Sequence, residues 1–239
     1  MKYFLSLPVV LISAINCLSQ TTTSVSMAQD FSALVKAGGG GVAAFQSFSS
    51  NQVDGSQFFI PDWKPGEIKT THQDVFNEGF LFLYDKVRQE LFIRQKDSSI
   101  VLLGNKDEIQ SFNLKDNGCQ YNFVNSKLFS VARPEVFYQT LIYDSVKLSL
   151  FKYTKTTLVK ADMSDMMKQR EGNVYDAFVD KYFYYIVNGK SEPEPVLLKS
   201  KSIKKVFTDL HINGESYMNK HPEPIDEAYL LNMVNQLNK

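Results

Sequence analysis

Phe80-Leu81-Phe82-Leu83-Tyr84, a polar stretch opening on Asp85-Lys86, and then Glu90-Leu91-Phe92-Ile93-Arg94 form the passage that decides the fold class. Ile100-Val101-Leu102-Leu103 follows after Lys96-Asp97-Ser98-Ser99. Short runs of β-favouring residues, punctuated by turn-forming polar ones, are the pattern of an antiparallel meander. Downstream, Ile109, Phe112 and Leu114 continue it. The segments from Val136 to Ile142 and from Val146 to Tyr153 read as a hairpin around Tyr143-Asp144-Ser145. Val146, Leu148 and Leu150 share one face of that hairpin, with Lys147 and Ser149 on the other. The aromatic run Tyr182 to Val187 ends at the turn pair Asn188-Gly189. Val196-Leu197-Leu198 comes after Pro193 and Pro195, so a connection longer than a tight turn is expected there.

At Ser200 the period changes. Ile203, Val206, Phe207 and Leu210 stand at i, i+3, i+4 and i+7, which predicts an amphipathic helix with Lys201, Lys204 and Lys205 outside. Pro224 starts a second one, with Asp226 and Glu227 in its first turn and Leu230, Met233, Val234 and Leu237 on its apolar face. The expected fold is mainly β: an antiparallel sandwich or partly open barrel over residues 57–199. Two short C-terminal helices, within 200–239, pack on it.

Outward in the other direction, Lys2 precedes an apolar run from Tyr3 to Ile15, broken only by Ser6, Pro8 and Ser13. About 12 helical residues reach roughly 18 Å, short of a hydrocarbon core of about 30 Å, so residues 1–19 read as a secretory signal peptide and not a span. Cleavage is expected before Gln20. Ala14-Ile15-Asn16-Cys17 also resembles a loose lipobox, in which case acyl chains on Cys17 would tie the protein to a membrane. Residues 20–56, rich in Ser, Thr and Ala with Gly38 to Gly41 in a row, read as a flexible leader.

The 26 basic and 26 acidic side chains cancel, and they do so on both sides of Pro134. A duplex-binding surface needs a basic excess, so nucleic acid is not an expected partner. Hydrophobic residues at 44% and charged ones at 22% suit a packed globular core, against global disorder. With Cys17 removed with the signal peptide or carrying lipid, Cys119 is left without a partner in its own chain and is expected as a buried small hydrophobe after the turn at Asn117-Gly118.

Chemical motifs are sparse. His72, His211 and His221 belong to no zinc-binding spacing and are expected on surface loops, so no metal or cofactor site is assigned. Gly38-x-Gly40-x-x-Ala43 lacks the strand and acidic residue of a dinucleotide site. Gly214-Glu215-Ser216-Tyr217-Met218 falls one residue short of a nucleophile elbow. The acidic pairs Asp162 with Asp165, Asp176 with Asp180, and Glu192 with Glu194 read as solvated turns and strand edges, and no catalytic residue is assigned. Aromatic residues reach 13%, and the Tyr182 strand concentrates them.

Four stretches resemble a group of exported β-rich proteins of Bacteroidota-type Gram-negative bacteria. They are Cys17-Leu18-Ser19-Gln20; Asp62-Trp63-Lys64-Pro65-Gly66-Glu67-Ile68; Phe137-Tyr138-Gln139-Thr140-Leu141 leading to Leu150-Phe151-Lys152; and Asp226-Glu227-Ala228-Tyr229-Leu230-Leu231. The likeness covers most of the mature chain. Its motifs are structural punctuation, and the resemblance implies no activity and carries over no functional residue.

The functional expectation is an exported protein, periplasmic or outer-membrane-associated or extracellular. It would act without catalysis, as a protein-interaction or structural component contacting an envelope protein or surface component. Tyr182 and Tyr184 are the expected partner-binding residues. Membrane association is expected only through a lipidated Cys17. The alternative is a carrier or sensor of an apolar ligand held in a β cavity, and third comes a hydrolase built from scattered carboxylates.

Overall fold

The computed structural model describes residues 53–96, 99–128, 137–161, 164, 175–189 and 191–239. The signal-peptide, lipobox and glycine-run readings, and the acidic pair Asp162 with Asp165, lie outside them. The strands are β1 (Val53–Asp54), β2 (Gly66–Thr70), β3 (Val75–Phe76), β4 (Leu81–Asp85), β5 (Glu90–Arg94) and β6 (Ile100–Leu102), followed by β7 (Ile109–Asp116) and β8 (Cys119–Asn125). Then come β9 (Phe137–Ile142), β10 (Leu148–Val159), β11 (Asp176–Asn188) and β12 (Glu194–Val196). The chain closes with helices α1 (Ser200–Asp209), α2 (Gly214–Lys220) and α3 (Glu227–Leu237).

The meander read at Phe80 to Leu103 is a separate three-stranded sheet, β4-β5-β6. A larger mixed sheet runs β1-β11-β10-β9-β8-β7-β2-β3, with β12 also on β11. All its pairings are antiparallel except that of β1 with β11, so two residues of the expected leader belong to the sheet. The arrangement is mainly β and is not a closed barrel.

Turn chemistry explains the hairpins. In the β4–β5 turn the buried Asp85 carboxylate accepts Val87 N at 2.8 Å, Arg88 N at 3.0 Å and Gln57 Nε2 at 3.1 Å. Asn117 (φ 48°) and Gly118 (φ 78°) are both left-handed, the requirement of a two-residue turn between paired β7 and β8. Gly66 serves a different need: a Cβ there would collide with the carbonyl oxygen of Asn113 on the neighbouring strand.

One face of the large sheet carries two cores side by side. Ile68, Phe112, Leu114, Phe123 and Phe137 pack against Phe82, Tyr84, Leu91 and Ile93 of the small sheet. Leu148, Leu150, Tyr184 and Ile186 pack against Ile203, Phe207, Leu230, Met233 and Val234 of the helices. β9 serves both, because the register shifts beside Leu141: Phe137 points into the first core, Leu141 and Ile142 into the second.

Three sequence expectations are corrected. The described residues hold three C-terminal helices, not two. α2 begins at Gly214-Glu215-Ser216-Tyr217-Met218, read from the sequence only against a nucleophile elbow; Gly214 is buried, and a Cβ there would meet Phe207 and Met233 within 3 Å. The glycine permits close helix packing, and Asn213 caps the helix by accepting Ser216 N at 3.1 Å. Cys119, expected inside, is exposed at the start of β8 beside the tight turn. Val146, placed on the core face of β10, lies before that strand and is 78% exposed.

Candidate functional site

The two tyrosines singled out by sequence share the packed face but not an environment. Tyr184 is buried among sheet and helix residues. Its hydroxyl donates to Glu227 Oε2 at 2.7 Å, and Lys152 Nζ reaches the same oxygen at 2.6 Å. Burial first, then this carboxylate, pushes the Tyr184 phenol far above its ordinary value. Tyr182, two residues earlier, is 51% exposed, with Lys152 Nζ over its ring at 4.2 Å. Burial of part of the ring, then the Asp180 and Glu227 carboxylates, raise its phenol too. The pair therefore divides: Tyr184 locks helix to sheet, and Tyr182 presents a surface.

That surface is the outer edge of β11. β1 pairs with Asp176 and Ala177, and β12 with Tyr184 to Ile186, so among the described residues no strand covers the edge between them. Val179, Tyr182 and Phe183 are exposed along it. The ribbon of β10 and β11 runs here beyond β9, tied back by Lys86 Nζ to Asp180 Oδ2 at 2.7 Å, while Thr156 Oγ1 donates to Asp180 Oδ1 at 2.6 Å across the ribbon itself.

A second site, with no sequence signature, lies on the opposite face of the large sheet. Strand register sets Glu67, Asn113, Asn122, Thr140, Phe151 and Tyr185 in one line across β2, β7, β8, β9, β10 and β11. Five strand spacings of about 4.8 Å make that line roughly 24 Å long. Two adjoining cavities open along it. One, of about 500 Å³, is lined by Lys69, Gln110, Ser111, Asn113, Asn122 and Thr140, among others. The other, of about 620 Å³, is lined by Phe151, Val187, Asp144, Ser149, Ser191 and Glu192, among others. Gln110, Val124, Leu128 and Tyr143 border both, so they form one groove. The Tyr143 ring, 69% exposed, stands at their junction.

Its hydrogen bonding is incomplete among the described residues. Gln120 Nε2 donates to Asn122 Oδ1 at 2.7 Å, but Asn113 Oδ1 and Thr140 Oγ1 are buried with no protein partner among them. Leaving such an atom unpaired costs about 1–3 kcal/mol, so each needs an explanation. At one end of the groove Asp144 accepts Val146 N and Lys147 N, each at 2.9 Å. These bonds hold its carboxyl below the usual carboxylate range, Lys147 N first.

The other candidates resolve into structural contacts. Asp176 pairs with Lys160 at 2.7 Å, and Asp180 with Lys86. His72 and His211 are exposed; His221 stacks on Tyr217 with ring centroids 4.2 Å apart, and its Nδ1 lies 3.4 Å from Glu223. Among the described residues no three His, Cys, Asp or Glu side chains gather around a common metal position, and no helix is long and apolar enough to cross a membrane. Comparison with protein-family models, curated proteins and solved structures finds no match.

Proposed function

We propose that this is an exported, non-enzymatic component of the cell envelope that acts by contact, with the groove across the large sheet as its binding surface. The observation that carries the reading is the pair of buried, unpartnered polar atoms, Asn113 Oδ1 and Thr140 Oγ1, beside a cavity of about 500 Å³. Hydrogen-bonding atoms without a protein partner at the wall of a groove suit a surface that a hydrogen-bonding ligand completes. Export is supported by the N-terminal apolar run. A protein partner has a separate place to dock, the outer edge of β11, where backbone groups between β1 and β12 can take an added strand and Val179, Tyr182 and Phe183 can give it specificity.

Hydroxyl-radical footprinting in intact cell envelopes and on the purified chain tests the reading. Tyr143 and Leu128 at the groove are expected to be protected in the envelope, while exposed Leu197, away from the groove, is labelled alike in both. Equal labelling of Tyr143 in the two states would sink it.

A further inference from the structure

We infer that the groove takes a neutral, polyhydroxylated ligand, an extended oligosaccharide lying across the strands; the inference rests on the binding role proposed above. Beside Val124, Leu128 and Tyr143, the middle of the groove carries uncharged groups that both donate and accept, Gln110, Ser111, Asn113, Asn122 and Thr140. Hydroxyls have that same dual character, so each can satisfy an amide or a hydroxyl whichever way it turns. Charged side chains stand mostly at the ends, Glu67 and Lys69 on β2, and Asp144 and Glu192 at the far side; Lys127, beside Leu128, also lines the larger cavity, but its ammonium is paired with Asp107 at 2.6 Å. A charged ligand would find one cation near the middle, Lys127, already paired with Asp107. An apolar one would strip water from the amides and return nothing.

Spacing supports the same ligand. Asn113, Asn122 and Thr140 sit opposite one another on neighbouring strands, so polar groups recur about every 4.8 Å. A chain of hydroxyl-bearing rings offers a partner at each step. Rotation about χ1 would bring the Thr140 hydroxyl to the groove, and a turn of the Asn113 side chain would bring its amide oxygen there, each a move between ordinary side-chain states. Ligand binding would therefore pair the two atoms now left without partners. Tyr143 supplies a flat apolar surface for the C–H face of a ring. A peptide fits less well, because it gains most by adding to a strand edge, and the sheet interior has no free edge to offer.

The test is titration of the full chain with neutral glucan, mannan, galactan and N-acetylhexosamine oligomers, and with polysaccharide extracted from its own envelope. One saccharide class is expected to bind saturably. Tyr143→Ala and Asn122→Ala should weaken it roughly tenfold. Val146→Ala, outside the groove, should not change it. Thr140→Val is the sharpest variant: it removes a hydroxyl without a partner, so affinity should fall while the melting temperature holds or rises. The inference is overturned if no saccharide binds at millimolar concentration, or if binding ignores Tyr143→Ala and Asn122→Ala. A photo-reactive group at position 143 that attaches to a polypeptide in intact envelopes, with no saccharide bound, would overturn the ligand class and leave the binding role standing. Equal footprints in and out of the envelope would remove both.

Discussion

Tyr182 and Tyr184 show how much two positions can matter along one strand. Both face the helices' side of the sheet, but Tyr184 fills the core while Tyr182 lies where the helices no longer reach. Tyr184→Ala is expected to cost about 3–5 kcal/mol, as deletions of buried aromatic rings do, and Tyr184→Phe about 0.5–1.5 kcal/mol for the lost bond to Glu227. Tyr182→Ala should stay within about 0.5 kcal/mol. Chemical denaturation of the three variants separates these outcomes, and equal losses at both positions would contradict the division. Gly66 is a second sensitive residue. Gly66→Ala drives a methyl into the Asn113 carbonyl, and backbone on both strands must move, so a loss of about 1–3 kcal/mol is expected in the same measurement. Acid should act through Asp144 and Asp176. Asp144 is held low by Lys147 N and Val146 N, and Asp176 by Lys160 and then Ala161 N. A depressed carboxylate contributes stability that is fully present above its unfolded pKa, about 3.9, and is lost as pH falls through its lower folded value. Loosening of the Asp144 turn is therefore expected only below about pH 4, readable by NMR of the Val146 and Lys147 amides.

Elements take their behaviour from what they pack against. The distal halves of β10 and β11 run as a ribbon without β9 beside them, flanked only by the two residues of β1, and a lone hairpin is marginal in water. Asp180 anchors it by accepting from Lys86 of the β4–β5 turn, and its bond from Thr156 joins the two strands. Asp180→Ala leaves Lys86, only 10% exposed at its side chain, beside a missing partner. Faster amide exchange in residues 154–159 and 177–183 is expected, with exchange at Leu150 and Ile186 unchanged. Uniform acceleration would mean that the ribbon is part of the cooperative core. α2 teaches a related lesson about glycine: Gly214 is there for proximity to Phe207 and Met233, so a residue that reads as a helix breaker opens a helix.

At the scale of the whole molecule, two cores share one sheet, and β9 contributes side chains to both. Neither core can open without disturbing the strand that borders the other, so unfolding is expected to be a single transition. Trp63, the one tryptophan, reports on the small sheet, and the far-ultraviolet helix signal reports on α1, α2 and α3. The two probes should give coincident denaturation curves; separate midpoints would show that the cores are independent.

Local patterns carried most of the architecture. Short β-favouring runs between Phe80 and Leu103, the Asn117-Gly118 turn, and the i, i+3, i+4, i+7 spacing from Ile203 to Leu210 each state a preference that neighbours along the chain are enough to create. They determined a mainly β fold closed by helices. Only the tertiary structure decided that the meander is a separate sheet, that Tyr184 is core and Tyr182 is not, and that Glu67, Asn113, Asn122 and Thr140 form a line. The physical reason is register. Residues 67, 113, 122 and 140 meet through hydrogen-bonded pairing of four strands, and a slip of one residue in any strand would turn its side chains to the other face. Burial likewise depends on which element lies above a strand, and no local spacing encodes that.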